Sequence, residues 1–243
     1  MLKIENLIVE AENKKIIDGL DLVLPAGETH VLMGANGSGK TTLGLGLMGS
    51  PEYLVNGSIK IDDQDLIKAS ADQRALAGLF LGFQHPQEIP GLNFRHFLRT
   101  SVNNVRRFRN QPTYSVFEFS KLIKKTAVSL GIDASMVDRN LNQDCSGGEK
   151  KKNELLQLLL SEPKFAIIDE CDSGLDVDAI KVMTKVLKRL KSQGVGILLI
   201  THYERLINSL DIERSYLMTQ GKILKSGHGK DLAKATLEFG YVS

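Results

Sequence analysis

Cysteine is scarce, long apolar runs are missing and neither charge sign dominates, and each shortage removes a class of function. The two cysteines, Cys145 and Cys171, lack the paired spacing of a metal knuckle, and the five histidines (His30, His85, His96, His202, His228) are scattered. No metal centre built on thiolates or imidazoles is expected, and two free thiols suit a reducing cytosol. The longest apolar-rich stretches, 155–160 and 195–200, fall far short of the roughly 18 residues that a membrane span needs. The start, Met1-Leu2-Lys3-Ile4-Glu5, lacks the basic region and apolar core of a secretory leader, so a cytoplasmic location is expected. A formal net charge of +2 argues against a dedicated nucleic-acid binder. Internal repeats and low-complexity tracts are also missing.

What is present is a chain of 243 residues, 42% of them hydrophobic, enough for one large α/β domain with an inserted subdomain. Short apolar strands at 4–9, 19–24 and 29–33 lead into Gly34-Ala35-Asn36-Gly37-Ser38-Gly39-Lys40-Thr41, with Thr42 next and a helix predicted over 41–48. This is the G-x-x-x-x-G-K-[ST] phosphate loop in its required strand–loop–helix setting. Backbone N–H groups freed by glycine close round phosphates, Lys40 reaches the outer ones and the Thr41 hydroxyl takes Mg²⁺. ATP with Mg²⁺ is therefore the expected ligand pair.

Two further groups of residues complete a reaction site. Strand 165–168 runs into Asp169-Glu170, placing Asp169 for Mg²⁺ and Glu170 to orient a water. Strand 195–200 ends in Thr201-His202, whose imidazole suits a terminal phosphate, and Gln84 follows strand 80–83 as the last polar group before the insertion. Separately, Cys145-Ser146-Gly147-Gly148-Glu149 contains a Ser-x-x-Glu capping box at a helix start. Two glycines in its first turn leave bare N–H groups at the positive end of a dipole, a receptor for the γ-phosphate of a nucleotide held by a second copy. Two chains are thus expected to share two ATPs.

From about residue 86 the pattern turns helical, with helices predicted over 94–108 and 115–130. Beyond it, 178–193 reads as an amphipathic helix between two buried strands, which implies a parallel sheet. A hairpin about Gln220-Gly221 and a helix over 231–239 close the chain. Residues 95–125 hold eight Lys/Arg and one acid, Glu118, a solvated face or a surface for an acidic protein.

The order Gly34 to Thr41, Gln84, Ser146 to Glu149, Asp169-Glu170, Ser173 to Asp176 and His202 resembles an ABC-type ATPase over essentially the whole chain. The resemblance implies a P-loop NTPase with a RecA-like core and an N-terminal antiparallel β-subdomain (1–85 and 163–243), and an inserted α-helical subdomain (86–162). It also implies Gln84 as a further Mg²⁺ ligand and Asp176 at the nucleotide. The segments 83–91, 146–157, 169–176 and 201–206, with the ending Gly240-Tyr241, are similar to the SufC group, the ATPases of Suf iron–sulfur cluster assembly. That likeness implies SufB/SufD-like scaffold partners, a transient head-to-tail homodimer and no membrane insertion. Pro86, Pro90 and Gly91 suit a partly rigid loop that carries Ile89 and Leu92 either as apolar contacts for the scaffold or as packing of the insertion against the core. The subunit of an ABC membrane transporter is the alternative. Where many members read Leu-Ser-Gly-Gly-Gln, this chain has Cys145 and Glu149 at the outer positions. No aromatic lies between Glu10 and Ile17 to stack on adenine, so weak base selectivity is expected.

Overall fold

The computed structural model describes residues 1–84, 86–170 and 177–239, with only the backbone of Val177 and Phe239. These separate into two compact units: 1–84, 163–170 and 187–239 in the first, 86–162 and 177–186 in the second. The stretch 177–186, expected with the core on sequence, thus groups with the insertion.

The first unit is built on two sheets. An antiparallel sheet of order β2-β1-β4-β5 joins β1 (Leu2–Ala11), β2 (Lys14–Leu24), β4 (Leu54–Ile61) and β5 (Gln64–Asp65). Along β1 the residues Leu2, Ile4, Leu7 and Val9 are fully buried, and the alternation slips by one residue where Asn6 takes a left-handed φ of 46°.

The other sheet has the order β12-β11-β3-β10-β9-β6. Its members are β3 (Thr29–Met33), β6 (Leu79–Gly82), β9 (Phe165–Asp169), β10 (Gly196–Ile200), β11 (Arg214–Thr219) and β12 (Lys222–His228). β11, β3, β10, β9 and β6 run parallel, and β12 returns antiparallel. All residues of β3, β9 and β10 are buried, as strands covered on both faces require.

Helix α1 (Lys40–Met48) lies between these layers, and its glycines make that possible. A Cβ at Gly46 would come within 2.9 Å of Val9 in β1, and one at Gly44 within 3.1 Å of Leu81 in β6. Helix α2 (Ala71–Ala77), not foreseen in the sequence, carries the buried Arg74. Its guanidinium donates to the carbonyls of Gly46 and Leu47 at 2.9 and 2.7 Å, and to those of Ala69 and Ile67. It adds donors to carbonyls at the end of α1, where the Gly46 carbonyl also accepts from Gly49 N at 3.1 Å.

The second unit holds α3 (Phe94–Phe108), α4 (Val116–Ser129), a 3₁₀ turn (Met136–Asp138) and α5 (Gly147–Ser161). Each α-helix has a side-chain cap: Asn93 accepts from His96 N, and Ser115 and Ser146 form capping boxes with Glu118 and Glu149. Phe94, Leu98, Phe119, Ile123 and Val137 are buried in this unit. The insertion is not purely helical. β7 (Ile89–Asn93) and β8 (Asn140–Leu141) form a two-stranded ladder, missed because Pro90 and Gly91 read as a turn.

Helix α6 (Val177–Ser192) contributes to both units and buries Ile180, Met183, Val186, Leu187 and Leu190. Helices α7 (Glu204–Ser209) and α8 (Asp231–Phe239) complete the first. Among the described residues no helix is long and apolar enough to cross a membrane.

Candidate functional site

Strand order in the parallel sheet decides what gathers. β3, β10, β9 and β6 are consecutive neighbours, so the loops after them emerge side by side at one carboxyl edge. After β3 comes the phosphate loop. There Lys40, 9% exposed, donates from Nζ to the carbonyls of Gly34 at 2.8 Å and Ala35 at 3.0 Å. Burial lowers the Lys40 pKa, and the nearby charges of Glu170 and Asp169 oppose that shift. The loop is pressed tight: a Cβ at Gly34 would meet the Met218 carbonyl at 2.4 Å, and Gly39 takes a φ of 106° that other residues rarely adopt. The Ser38 hydroxyl is buried with no hydrogen-bond partner among the described residues, a position a phosphate oxygen would satisfy.

Asp169 ends β9, buried and in register with Ile200 of β10. Glu170 follows in the left-handed region, φ 42°, with its N–H bonded to the Ile200 carbonyl at 2.9 Å. That conformation is uncommon for a glutamate. Gln84, after β6, donates from Nε2 to Glu170 Oε2 at 2.6 Å, a contact spanning 86 residues of sequence. His202, after β10, brings Nδ1 to 3.8 Å from Glu170 Oε1, with a side chain 60% exposed.

A cavity of about 300 Å³ here is lined by Ile16, Asn36, Gly37, Gly39, Lys40, Thr41, Thr42, Gln84 and Glu170, and not by Ser38, Asp169 or His202. Of the residues expected on sequence, Gly34, Asn36, Gly37, Ser38, Gly39, Lys40, Thr41, Thr42, Gln84, Asp169, Glu170 and His202 all belong to the first unit. Ser146, Gly147, Gly148 and Glu149 belong to the second. There the Ser146 N–H donates to Glu149 Oε2 at 2.7 Å and Glu149 N donates to Ser146 Oγ at 3.3 Å, bonds that lower the Glu149 pKa. Cys145 has a thiol pKa raised chiefly by burial, so it is not an activated nucleophile. Asp176 and Cys171 lie outside the described residues, as do His85, Gly240 and Tyr241.

Sequence reasoning overlooked the braces of the loop. Gly221, at the tip of the β11–β12 hairpin, donates its N–H to the Ser38 carbonyl at 2.9 Å and accepts from Asp18 N at 3.2 Å. A Cβ there would collide with the Ile16 carbonyl at 2.0 Å. The Gln220-Gly221 signal is visible in the sequence, but only as a hairpin turn. Ile16 supplies an apolar wall of the cavity in a segment without aromatics.

The oxygen donors Thr41 and Asp169, with the Gln84 amide nearby, suit a hard cation that retains phosphate and water ligands. Among the described residues no group of three His, Cys, Asp or Glu could hold a metal.

A family profile described as "ABC transporter" matches residues 17–173. The chain belongs to this family. It is an ATPase with the fold of an ATP-binding cassette. Vegetative protein 296 of Bacillus subtilis is 44% identical over 241 residues, covering 99% of this chain and 91% of that one. A probable ATP-dependent transporter of Synechocystis is 41% identical, covering 99% and 94%. Among solved structures, an ATP-binding cassette of an ABC transporter superposes with a TM-score of 0.78 at 23% identity, covering 100% and 99%. A dimeric cassette bound to ADP and phosphate gives 0.78 at 20% identity, covering 94% and 98%.

Proposed function

We propose that this ATPase works as a head-to-tail pair, the phosphate loop of each copy holding an ATP whose γ-phosphate meets the Ser146 helix end of the other. The observation that carries the reading is the cavity bounded by the phosphate loop on one side and by Gln84 and Glu170 on the other. Lys40 neutralises the outer phosphates, and Thr41, Asp169 and Gln84 would hold a Mg²⁺, which would supply further positive charge to the phosphates. Glu170 orients the attacking water and His202 contacts the γ-phosphate, so the protein contributes position and charge to an in-line transfer. The pair is supported by the open first turn of α5, where a Cβ at Gly147 or Gly148 would meet nothing within 4 Å. The structural neighbour bound to ADP and phosphate is also described as dimeric. Mixing Ser146→Arg with Lys40→Ala tests it: such a heterodimer has one site damaged on both sides and one intact, so activity above either variant alone is expected. No recovery where heterodimers demonstrably form overturns the trans arrangement.

Two kinds of partner are supported by different observations. The relatives' names, such as probable ABC transporter ATP-binding protein of Streptococcus pyogenes at 44% identity, favour a membrane transporter with the cassette on its cytoplasmic side. The SufC-like segments, above all Glu149 and 86–91, favour a SufB/SufD-like scaffold for iron–sulfur clusters. Ile89 is 44% exposed in β7, an apolar contact available to either partner. Capture of a tagged chain from its own cell separates them: integral membrane proteins establish the transporter, and soluble cluster-binding proteins the scaffold. In either case Ile89→Asp is expected to weaken capture without lowering the melting temperature.

A further inference from the structure

We propose that Asn142 is a positioning residue for ATP hydrolysis, fixing the Ser146 end of α5 to the backbone that leaves the Gln84 loop. This rests on the composite site proposed above. Asn142 is 2% exposed and sits at a left-handed φ of 57°, four residues before Ser146. Its side chain is used at both ends. Nδ2 donates to the Gln87 carbonyl at 2.8 Å, and Oδ1 accepts from Asn153 Nδ2 at 3.1 Å. The Asn142 carbonyl accepts from Cys145 N at 3.3 Å, closing the turn that delivers Ser146 to its cap. One side chain therefore joins three segments: residue 87, three positions past Gln84; the turn 142–145; and the second turn of α5.

The neighbouring backbone reinforces the join. β7 and β8 pair Ile89 with Leu141 and Asn93 with Asn140, and Asn93 Nδ2 donates to the Asp138 carbonyl at 3.0 Å. The strand leaving the Gln84 loop and the strand entering the Ser146 turn are thus one ladder, with Asn142 at its end.

Packing alone does not account for the amide pair. Asn153 is 1% exposed and its Oδ1 has no hydrogen-bond partner among the described residues, so the arrangement carries an unsatisfied buried acceptor. An apolar residue of similar volume would fill the space without that cost. What the amides supply is direction: a hydrogen bond fixes the register of two segments, whereas apolar contact tolerates sliding. A displacement of the loop at Gln87 is then passed to the Ser146 cap, and an error of about 1 Å there suffices to cost up to a hundredfold in rate.

The test uses Asn142→Gly, which keeps the left-handed backbone and removes the amide, and Asn153→Leu, which removes the second link together with the unsatisfied acceptor. Each is measured alone and combined with Glu170→Gln. The expected result is ATP affinity of the isolated copy within about twofold of wild type, kcat reduced about tenfold or more, and less ATP-induced dimer in the Glu170→Gln background. Asn153→Leu is expected to melt no lower than wild type, which separates positioning from folding and carries the test if Asn142→Gly folds poorly. Wild-type kcat and undiminished dimer in the Asn153→Leu protein overturn the proposal while leaving the composite site standing. Failure of Glu170→Gln alone to dimerise with ATP overturns the composite site and this proposal with it.

Discussion

At the phosphate loop two of the three glycines are pressed by their surroundings, while Gly37 between them faces open space: a Cβ at Gly34 would strike the Met218 carbonyl at 2.4 Å, and one at Gly39 would meet Ile17 at 3.0 Å. At the start of α5, Gly147 and Gly148 face open space within 4 Å. The loop is finished within one copy, with Lys40 bonded to Gly34 and Ala35 and Gly221 bonded to Ser38. The helix end closes its first turn with a capping box, Ser146 with Glu149. A preformed pocket binds nucleotide without reorganisation, whereas a bare helix end is a dipole and a set of donors awaiting an anion. On the proposed head-to-tail reading, binding belongs to the first region and turnover requires the second.

Variants can break this division, beginning with the largest effect. Glu170→Gln keeps the side chain's shape and its place beside Gln84, but removes the carboxylate proposed to orient water. Its kcat is expected to fall about 10²-fold or more with ATP affinity retained, as read by phosphate release and nucleotide titration. Lys40→Ala is expected to weaken ATP binding about a hundredfold by removing a charged donor to phosphate; wild-type affinity would dissolve the contrast between the regions. Gly148→Val should slow turnover about tenfold by filling the open helix end, with single-copy ATP affinity unchanged. Equal losses of affinity and rate would show that the helix end takes part in binding.

Stability changes sharpen the same contrast. Arg74→Met removes four donors to backbone carbonyls, two of them at the end of α1, and is expected to cost about 3 kcal/mol by denaturant titration. Because α1 begins at Lys40, ATP affinity should fall with stability, which separates this residue from those of the helix end. The smallest effect concerns pH. His30 is buried between Tyr216, 3.2 Å from its Nδ1, and Glu28, 2.8 Å from its Nε2. Burial lowers its pKa; Glu28 and, more weakly, Glu213 oppose that shift, while Arg214 adds to it. With the folded pKa depressed, the unfolded chain binds the proton more readily. Stability is therefore full above the ordinary histidine value of about 6.5 and declines as pH falls below it, with a slope of at most about 1.4 kcal/mol per pH unit. His30→Gln should flatten that slope in melts from pH 7 to 5; an unchanged slope would remove His30 as its source.

Much of the site was legible because its motifs are local. Gly34 to Thr41 is a single continuous turn into a helix, and Ser146 to Glu149 closes its own hydrogen bonds within four residues, so neither depends on what packs beside it. The buried face of α6 followed from periodicity in the same way. The β7–β8 ladder was not legible, since Pro90 and Gly91 carry turn character and a two-residue partner strand has no pattern of its own. Helix α2 was short enough to pass as loop, and its role lies in one arginine reaching 28 residues back to Gly46.

By itself the sequence determined the local motifs: a glycine loop running into a helix, a carboxylate pair at a strand end and a capped helix with two bare glycines, each encoded by neighbours along the chain. The tertiary structure alone decided that Gln84 would meet Glu170, that Gly221 would brace Ser38 and that Ile16 would wall the cavity. Those contacts depend on β6 lying beside β9 and β11 beside β3, and strand order is set by which buried faces pack together, a property of the whole core.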